Sequence, residues 1–258
     1  MSEDNKAILE IRELNKNFGG LQAVSNFSIS LKKGELKGLI GPNGAGKTTI
    51  FNLISGLLKP DSGTVLFKGV DITNQSPDRI VKSGIGRTFQ KVRPGKLPTV
   101  LDEVKTAFFA HMTYNLFDAM FQTAKYRAEE KKIEDESYEI LDFLGVADLS
   151  NMRSEDISHG LQMKVSIARA LALKPETLLL DEPASGLNPN ETNILIDLIS
   201  QMKEKFGLSI LLIEHDMSVI MNICQDIIAI NEGSIIGMGA PEEIQKNKRV
   251  LDAYLGGA

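Results

Sequence analysis

A glycine-rich segment in the first fifth of the chain has the residue types and spacing of a phosphate-binding loop. Its members, in order, are Gly41, Pro42, Asn43, Gly44, Ala45, Gly46, Lys47, Thr48 and Thr49. The glycines allow backbone N–H groups to approach a polyphosphate closely, and a helix N-terminus favours an anion. The Lys47 ammonium can reach the outer phosphates, and the Thr48 hydroxyl is a suitable ligand for Mg²⁺. The segment therefore predicts a nucleoside triphosphate site.

The residues on either side of this loop support that prediction. An apolar run over residues 36–40 is typical of a strand, and helical spacing follows over residues 49–57. Strand, glycine-rich turn and helix thus come in the order that phosphate binding requires. A strand-to-helix turn that is rich in glycine by chance would not explain these flanks.

A pair of carboxylates follows a second apolar run. Residues 178–180 are all leucine, and Asp181 and Glu182 come directly after them. A carboxylate at the end of a buried strand can hold Mg²⁺, and that role fits Asp181. Glu182 points to the other side of the chain and is suited to polarising a water for in-line attack on a γ-phosphate. An acidic turn that simply ends a strand is the alternative, which the upstream loop makes weaker.

Three further segments carry groups that are weak signals when taken one at a time. Ser158, with Gly160 beside it, precedes a helical segment and can cap it, so that N–H groups there could face a second phosphate. His215 follows the carboxyl end of a strand, where open α/β sheets gather ligands. Gln90 opens a helical region, where its amide could sense both a metal ion and the position of that region. A plain helix cap and a surface or structural histidine are the alternatives.

Hydrophobic periodicity and turn residues place these groups in an alternation of strands and helices. The predicted strands are residues 7–14, 22–31, 36–40, 64–68, 177–180, 209–213, 227–230 and 234–238. The predicted helices are residues 49–57, 100–110, 119–144, 161–173, 190–206 and 217–223. This alternation predicts an α/β fold with a mostly parallel sheet covered on both faces.

One stretch departs from the alternation. Residues 90–158 have helical spacing and many charges, with no strong strand among them. We interpret it as a helical lobe inserted into a single domain that spans residues 1–258. Its core would then consist of residues 1–89 and 159–258.

The composition excludes several classes of protein. The 258 residues are 42% hydrophobic and carry a net charge of −5, which argues against a broad nucleic-acid footprint. The single cysteine, Cys224, cannot form an internal disulfide and fits a small buried residue in a reducing compartment. Residues 1–6 are polar and the apolar runs are short, so neither a signal peptide nor a membrane span is expected. Any membrane role must come through a partner.

Taken together and in this order, the motifs resemble the ATPase subunit of an ATP-binding cassette (ABC) transporter over essentially the whole chain. The resemblance implies a P-loop NTPase core, an N-terminal antiparallel β-subdomain and an inserted helical subdomain. It further implies ATP and Mg²⁺ as ligands, with Thr48, Gln90 and Asp181 at the metal. Glu182 would act as general base, and His215 would hold the γ-phosphate and the attacking water. Phe18 matches the position that stacks on adenine; packing in the core is its alternative.

The resemblance also implies partners. Two such subunits, identical or paralogous, would pair head to tail, with ATP between the phosphate loop of one and Ser158 to Gly160 of the other. A transmembrane permease would hold the pair at the cytoplasmic face of the membrane, and a solute-binding protein would act indirectly. We call residues 157–161 the signature segment. Ile157, His159 and Leu161 depart from the usual Leu-Ser-Gly-Gly-Gln, which puts the strength of ATP-driven pairing in doubt.

Several details are similar to the ATPases of branched-chain amino acid importers. These details are residues 18–24, 86–90, 186–189, 213–217 and 253–256. Urea and amide importers and the ATPase of lipopolysaccharide export share parts of the set and remain alternatives. A soluble ABC ATPase is another, although such proteins usually carry two cassettes or a long coiled coil. A P-loop kinase would have no use for Ser158, Gly160 and His215 together.

Overall fold

The computed structural model describes residues 6–88 and 97–255. Contacts divide the chain into two compact units. The first, here the core unit, comprises Met1–Arg87 and Glu176–Ala258, and the second, the helical unit, comprises Thr88–Pro175. Gln90 falls outside the described residues, so its predicted role stays a prediction.

A six-stranded sheet lies at the centre of the core unit. Its strands are β3 (Leu36–Ile40), β6 (Ile85–Arg87), β7 (Thr177–Asp181), β8 (Ser209–Ile213), β9 (Asp226–Asn231) and β10 (Ser234–Gly239), in the spatial order β10-β9-β3-β8-β7-β6. All neighbouring pairs are parallel except β9 with β10. Every residue of β3, β7 and β8 is buried, which explains why these strands appear in the sequence as nearly continuous apolar runs.

The second sheet of the core unit is antiparallel. It consists of β1 (Ala7–Phe18), β2 (Leu21–Lys32), β4 (Ser62–Phe67) and β5 (Val70–Asp71), in the order β2-β1-β4-β5. The end of β2 alternates buried and exposed residues, as expected for a sheet with one face in the core. The predicted α/β fold, with a mostly parallel sheet and an antiparallel N-terminal sheet, is confirmed.

Within the described residues, the core unit also contains six helices. They are α1 (Lys47–Ile54), α2 (Pro77–Ser83), α7 (Pro189–Phe206), α8 (Met217–Ile223), α9 (Pro241–Lys246) and α10 (Lys248–Leu255). The ends of α7 follow from the sequence: Asn188 and Glu191 form a capping box, and Gly207, with φ of 62°, ends the helix in the left-handed region. Cys224 is buried after α8, as expected, and burial raises the pKa of its thiol.

The helical unit contains α3 (Val100–Ala107), α4 (Leu116–Met120), α5 (Ala124–Phe143) and α6 (His159–Ala172), with short 3-10 turns between them. The sequence predicts that the core resumes at residue 159. The contacts instead group α6 with the helical unit, because α6 packs on α3 and α5. Within the described ranges, no helix combines the length and the apolar character needed to cross a bilayer.

Candidate functional site

Three parallel strands of the core unit end at the same edge of the sheet. Strands β3, β8 and β7 are neighbours, and the segments that follow them carry the phosphate loop, His215 and the Asp181–Glu182 pair. The carboxyl edge of an open parallel sheet is where ligands bind in such folds. We call this arrangement of the phosphate loop, Asp181, Glu182, Glu214 and His215 the strand-end site.

Two glycines of the phosphate loop stand where no side chain fits. Gly46 has φ of 104° and serves as the N-cap of α1, and a Cβ there would lie 2.4 Å from the carbonyl oxygen of Ala23. A Cβ on Gly41 would lie 2.3 Å from the carbonyl oxygen of Ile230. The backbone therefore packs directly against backbone, and only glycine permits this conformation.

The turn between β9 and β10 is hydrogen-bonded to the phosphate loop and stabilises its conformation. Gly233 donates its N–H to the Ala45 carbonyl at 2.9 Å and accepts a hydrogen bond from the Ser25 N–H at 2.9 Å. Within the loop, the Ala45 N–H donates to the Pro42 carbonyl at 3.1 Å. These backbone hydrogen bonds hold the loop in shape, as a preorganised anion site requires.

Lys47 places a buried cation at this loop. Its side chain is 5% exposed, and its Nζ donates to the carbonyl oxygens of Gly41 at 2.6 Å and Pro42 at 3.1 Å. Burial lowers the pKa of the Lys47 ammonium, while the charges of Glu182 and Asp181 act in the opposite direction. The neighbouring Thr48 is exposed, so its hydroxyl is open to a ligand.

Asp181 ends β7 as a buried carboxylate beside an arginine. Its Oδ2 accepts a hydrogen bond from Nη2 of Arg87 at 2.8 Å, and the Arg87 Nη1 donates to Asn52 at 2.8 Å and Ser55 at 2.9 Å. Burial raises the pKa of Asp181, and the Arg87 hydrogen bond opposes that rise. Sequence reasoning did not single out Arg87 for this contact; its place at the end of β6, beside β7, was the available signal.

Glu182 adopts a conformation that is rare for a residue with a side chain. Its φ is 49°, and the residue is only 8% exposed. Its N–H donates to the Ile213 carbonyl at 2.9 Å, and its own carbonyl accepts from the Ser185 N–H at 3.1 Å. Strained backbone of this kind persists where the surrounding structure fixes it, and it occurs often at functional sites.

The structure brings His215 to Glu182. The His215 Nδ1 lies 3.9 Å from the Glu182 Oε2, and the His215 side chain is 55% exposed. This separation exceeds a direct hydrogen bond, so the imidazole faces both the carboxylate and the open side of the site. The two residues that were predicted to act on the γ-phosphate and its attacking water are therefore neighbours.

Glu214 is a buried carboxyl group that sequence reasoning did not single out. The residue is fully buried, and its Oε1 accepts a hydrogen bond from the Ala184 N–H at 2.7 Å. Burial, followed by the nearby charge of Glu182, raises the pKa of Glu214 to about 7. The sequence feature that could have identified Glu214 is its position between a buried strand and His215.

The signature segment lies in the helical unit, at the start of α6. Ser158 occupies the N-cap position and is exposed, and its backbone carbonyl accepts the Gln162 N–H at 2.9 Å. The expected side-chain cap was wrong, because the Ser158 hydroxyl accepts no hydrogen bond from the helix. Instead, the Gln162 amide donates to the carbonyls of Ser154 at 2.9 Å and Ile157 at 3.1 Å, which ties the segment to the helix.

Phe18 ends β1 on the surface of the core unit. Its side chain is 46% exposed, and the Lys16 ammonium lies 5.7 Å from the ring centroid. Packing in the core, the alternative considered for this residue, is therefore wrong. An exposed ring next to a cation is free to stack on a planar group.

The donor set of the strand-end site suits a nucleotide with Mg²⁺. The braced glycine loop and the Lys47 cation suit a polyphosphate. The hydroxyl of Thr48 and the carboxylate of Asp181 are the hard oxygen donors that Mg²⁺ prefers. Among the described residues, no three or more His, Cys, Asp and Glu side chains are grouped so that they could hold a metal ion.

Comparison with known proteins relates the whole chain to transport ATPases. A family model described as ABC transporter matches residues 24–185, and one described as branched-chain amino acid ATP-binding cassette transporter matches residues 234–258. The high-affinity branched-chain amino acid transport ATP-binding protein LivG of Salmonella typhimurium is 38% identical, over 98% of this chain and 100% of its own length. LivG of Escherichia coli K12 is 37% identical over the same shares.

Solved structures lead to the same family. The ADP conformation of MJ1267, an ATP-binding cassette of an ABC transporter, superposes with a TM-score of 0.85 at 31% identity, covering 98% of this chain and 100% of that one. A nucleotide-free ATP-binding cassette from an ABC transporter gives a TM-score of 0.83 at 31% identity, over 96% and 99% of the two chains. These matches show that the chain belongs to the ABC transporter family, as an ATPase related to the ATP-binding proteins of branched-chain amino acid transport.

Proposed function

We propose that this chain energises the import of branched-chain amino acids, as one of two ATPase subunits attached to a transmembrane permease at the cytoplasmic face of the membrane. The observation that carries the proposal is the sequence similarity to LivG proteins, which are 37% and 38% identical over 98% of this chain. The name of those proteins specifies branched-chain amino acid transport. The match of the C-terminal residues 234–258 to the branched-chain amino acid family supports it independently of the phosphate loop. The urea, amide and lipopolysaccharide alternatives have no comparable support among these relatives.

The first step is the binding of ATP by the phosphate loop. Backbone N–H groups of residues 41–49 and the Lys47 ammonium would hold the phosphates, and Phe18 would stack on the adenine. Lys47 already lies across the loop through its bonds to the Gly41 and Pro42 carbonyls, so it needs only a small movement to reach a phosphate. A cation kept in a buried, braced loop interacts strongly with phosphate because water screens it little.

Thr48 and Asp181 would hold Mg²⁺, with Gln90, which lies outside the described residues, as the third predicted ligand. When bound, the ion would neutralise charge on the phosphates. Arg87 keeps the Asp181 carboxylate oriented through its 2.8 Å contact. It thereby fixes one oxygen donor before any ion arrives.

The hydrolytic step belongs to Glu182 and His215. Glu182 would accept a proton from water as that water attacks the γ-phosphate, and His215 would orient the water and the phosphate. The 3.9 Å between the His215 Nδ1 and the Glu182 Oε2 lets one water or phosphate oxygen approach both groups. The fixed turn at Glu182 supports its carboxylate in this position.

A second subunit would complete the site. Ser158 and Gly160 are exposed or half-exposed at the start of α6, and they would contact the nucleotide bound by the other subunit. The exposed N-terminus of a fourteen-residue helix suits a phosphate. ATP would then join the two subunits because each contributes to both nucleotide sites, and loss of the γ-phosphate would release them.

Uptake measurements test the proposal. Permease subunits that copurify with the chain from native membranes are reconstituted with it in proteoliposomes, and ATP-dependent uptake of labelled leucine is followed. We expect uptake that excess isoleucine and valine inhibit, and that Glu182→Gln abolishes while ATP binding is retained. Glu176→Gln, an exposed glutamate just before β7, is the matched control and keeps uptake. Uptake of urea in place of leucine, or the absence of any permease, would contradict the proposal.

A further inference from the structure

The turn that carries Glu182 depends on the end of β8 for its backbone hydrogen bonds. From Glu182 to Ala184 there are only two N–H groups, because Pro183 has none. The Glu182 N–H donates to the Ile213 carbonyl at 2.9 Å, and the Ala184 N–H donates to the Glu214 Oε1 at 2.7 Å. Both available donors of this turn are therefore taken by two consecutive residues of the neighbouring strand end.

The second of these acceptors is an unusual choice. Every residue has a main-chain carbonyl, so the acceptor at Ile213 does not depend on residue type. The acceptor at Glu214 is a side-chain carboxyl group, and the residue that carries it is completely buried. Burial of a carboxyl group is costly, and hydrogen bonding only partly offsets that cost. A residue kept at such a cost next to a catalytic turn is a candidate for a role in the reaction.

The same dipeptide sets the position of His215. Glu214 points into the protein, and His215, the next residue, is exposed on the side where its Nδ1 faces Glu182. Glu214 is thus attached through the backbone to the histidine and through Oε1 to the turn of the glutamate. A change in its hydrogen bond would alter the distance between the two.

The conformation of Glu182 makes this restraint necessary. With φ of 49°, the residue is in the left-handed region, which costs free energy for any residue with a Cβ. Without a bond at Ala184, the turn could relax toward ordinary φ values and carry the Glu182 carboxylate away from His215. Displacement of a reacting group by about 1 Å can lower a rate about 100-fold.

We propose that Glu214 is a positioning residue, whose carboxyl oxygen holds the Ala184 N–H and so fixes the Glu182 carboxylate against His215. This inference rests on the proposed role of Glu182 as general base. It assigns to Glu214 no contact with ATP, so it predicts an effect on turnover and none on nucleotide affinity.

Three substitutions separate hydrogen bonding from charge and from packing. Glu214→Gln keeps an acceptor oxygen of the same reach and should retain kcat within about threefold, since the hydrogen bond persists. Glu214→Asp shortens the side chain, and Glu214→Leu removes the acceptor; both should lower kcat about 10- to 100-fold. The dissociation constant for a non-hydrolysable ATP analogue should change less than about twofold in all three, because the phosphate loop is untouched.

A matched control accounts for loss of stability. Thr177, fully buried at the opposite end of β7, is changed to Ala, and its melting temperature is compared with those of the Glu214 variants. We expect Thr177→Ala to lower the melting temperature with kcat unchanged. If Glu214→Leu fails to fold, Glu214→Asp against Glu214→Gln decides the question, because these two variants keep a polar side chain.

A double-mutant comparison then tests whether Glu214 acts through Glu182. In a Glu182→Gln background, Glu214→Leu should lower the residual turnover no further, because the carboxylate to be positioned is already absent. Full activity of Glu214→Leu or Glu214→Asp, or equal losses in Glu214→Gln and Glu214→Leu, would overturn the positioning role. Retention of hydrolysis in Glu182→Gln alone would instead overturn the proposed base, so the two failures are distinguishable.

Discussion

The strand-end site and the signature segment are constructed in opposite ways. Lys47, Asp181 and Glu214 are buried, and each makes a short contact to another part of the core unit. Ser158 and His159 are exposed, and the Ser158 hydroxyl makes no capping bond to its own helix. Polar groups whose hydrogen bonds are made within one chain are preorganised for chemistry, whereas polar groups left at the surface are available to a second molecule.

This difference predicts how each region responds to change. Substitutions in the strand-end site should affect both chemistry and stability, because buried charges are removed from a connected set of contacts. Substitutions in the signature segment should affect only what happens when subunits meet. The following predictions test that contrast, starting from the largest effect.

The largest loss is expected for Lys47→Ala. If Lys47 faces the phosphates of bound ATP as proposed, removal of this buried cation should lower ATP turnover about 100- to 1,000-fold and should weaken ATP binding as well. The matched control is Lys37→Ala in β3, the strand that precedes the phosphate loop, since Lys37 is also buried and its Nζ lies 3.0 Å from Asp226. Turnover assays and nucleotide titrations should show that Lys37→Ala is less stable yet active. Equal loss of turnover in both variants would mean that turnover depends no more on Lys47 than on a buried lysine outside the strand-end site.

A pH-dependent stability change is expected for Glu214→Gln. The pKa of Glu214 is raised from 4.5 to about 7 in the folded protein, so the folded state holds a proton that the unfolded state releases. The stability contributed by this proton is full below pH 4.5 and is lost as the pH rises through about 7. Glutamine does not titrate, so the variant should gain on the wild type by up to about 3 kcal/mol over this range.

Denaturant unfolding at several pH values measures this gain, and a neighbour provides a control of opposite sign. The hydrogen bonds from Ser218 lower the pKa of Asp216, so Asp216→Asn should lose stability relative to the wild type as the pH rises through the Asp216 pKa. A difference between Glu214→Gln and the wild type that stays constant with pH would show that the Glu214 carboxyl is not held protonated by burial.

A smaller loss is expected for Ser158→Arg in the signature segment. A cation at the helix N-terminus is unfavourable to the dipole and would block an approaching phosphate, so turnover should fall about 10- to 100-fold. Affinity of the isolated chain for nucleotide should stay normal, because the phosphate loop is intact.

Mixing of two inactive variants then tests whether the site is shared. If two copies of this chain pair head to tail, a pair of one Ser158→Arg chain and one Glu182→Gln chain contains one site with both native residues. Turnover should therefore reappear on mixing, in proportion to the mixed pairs formed. No recovery, with both variants folded, would contradict pairing between copies of this chain.

The sequence predicted the parts of the strand-end site that depend on local pattern. Strands buried on both faces leave continuous apolar runs, so β3, β7 and β8 were evident, and the residues after them could be placed at one edge. The phosphate loop has its own local rule, the spacing of Gly41 to Thr48 before a helix. The buried strands and the phosphate loop can each be recognised from a short stretch of sequence.

The contacts that were missed join distant stretches. Arg87 reaches Asp181, and Glu214 reaches Ala184, across 94 and 30 positions, and no local spacing encodes such pairs. The same reason explains α6: its amphipathic pattern was recognised, yet the pattern does not say that α3 and α5 are the partners. Ser158 is a related case, because residue type predicted its N-cap position but not whether its hydroxyl would be used.

The smallest effect is expected for Leu161→Gln, which introduces the glutamine usual in the signature of the family. Leu161 is half-buried in the first turn of α6, and the amide of Gln162 already ties that turn to the Ser154 and Ile157 carbonyls. One added neutral hydrogen bond to a nucleotide contributes about 1 kcal/mol, so turnover should rise at most about fivefold. Leu161→Met, which keeps an apolar side chain of similar volume, is the control and should leave turnover unchanged. A rise above tenfold would show that pairing at the signature segment, and not the chemistry of the strand-end site, limits this ATPase. A fall would instead show that Leu161 makes a contact in the paired state that glutamine does not replace.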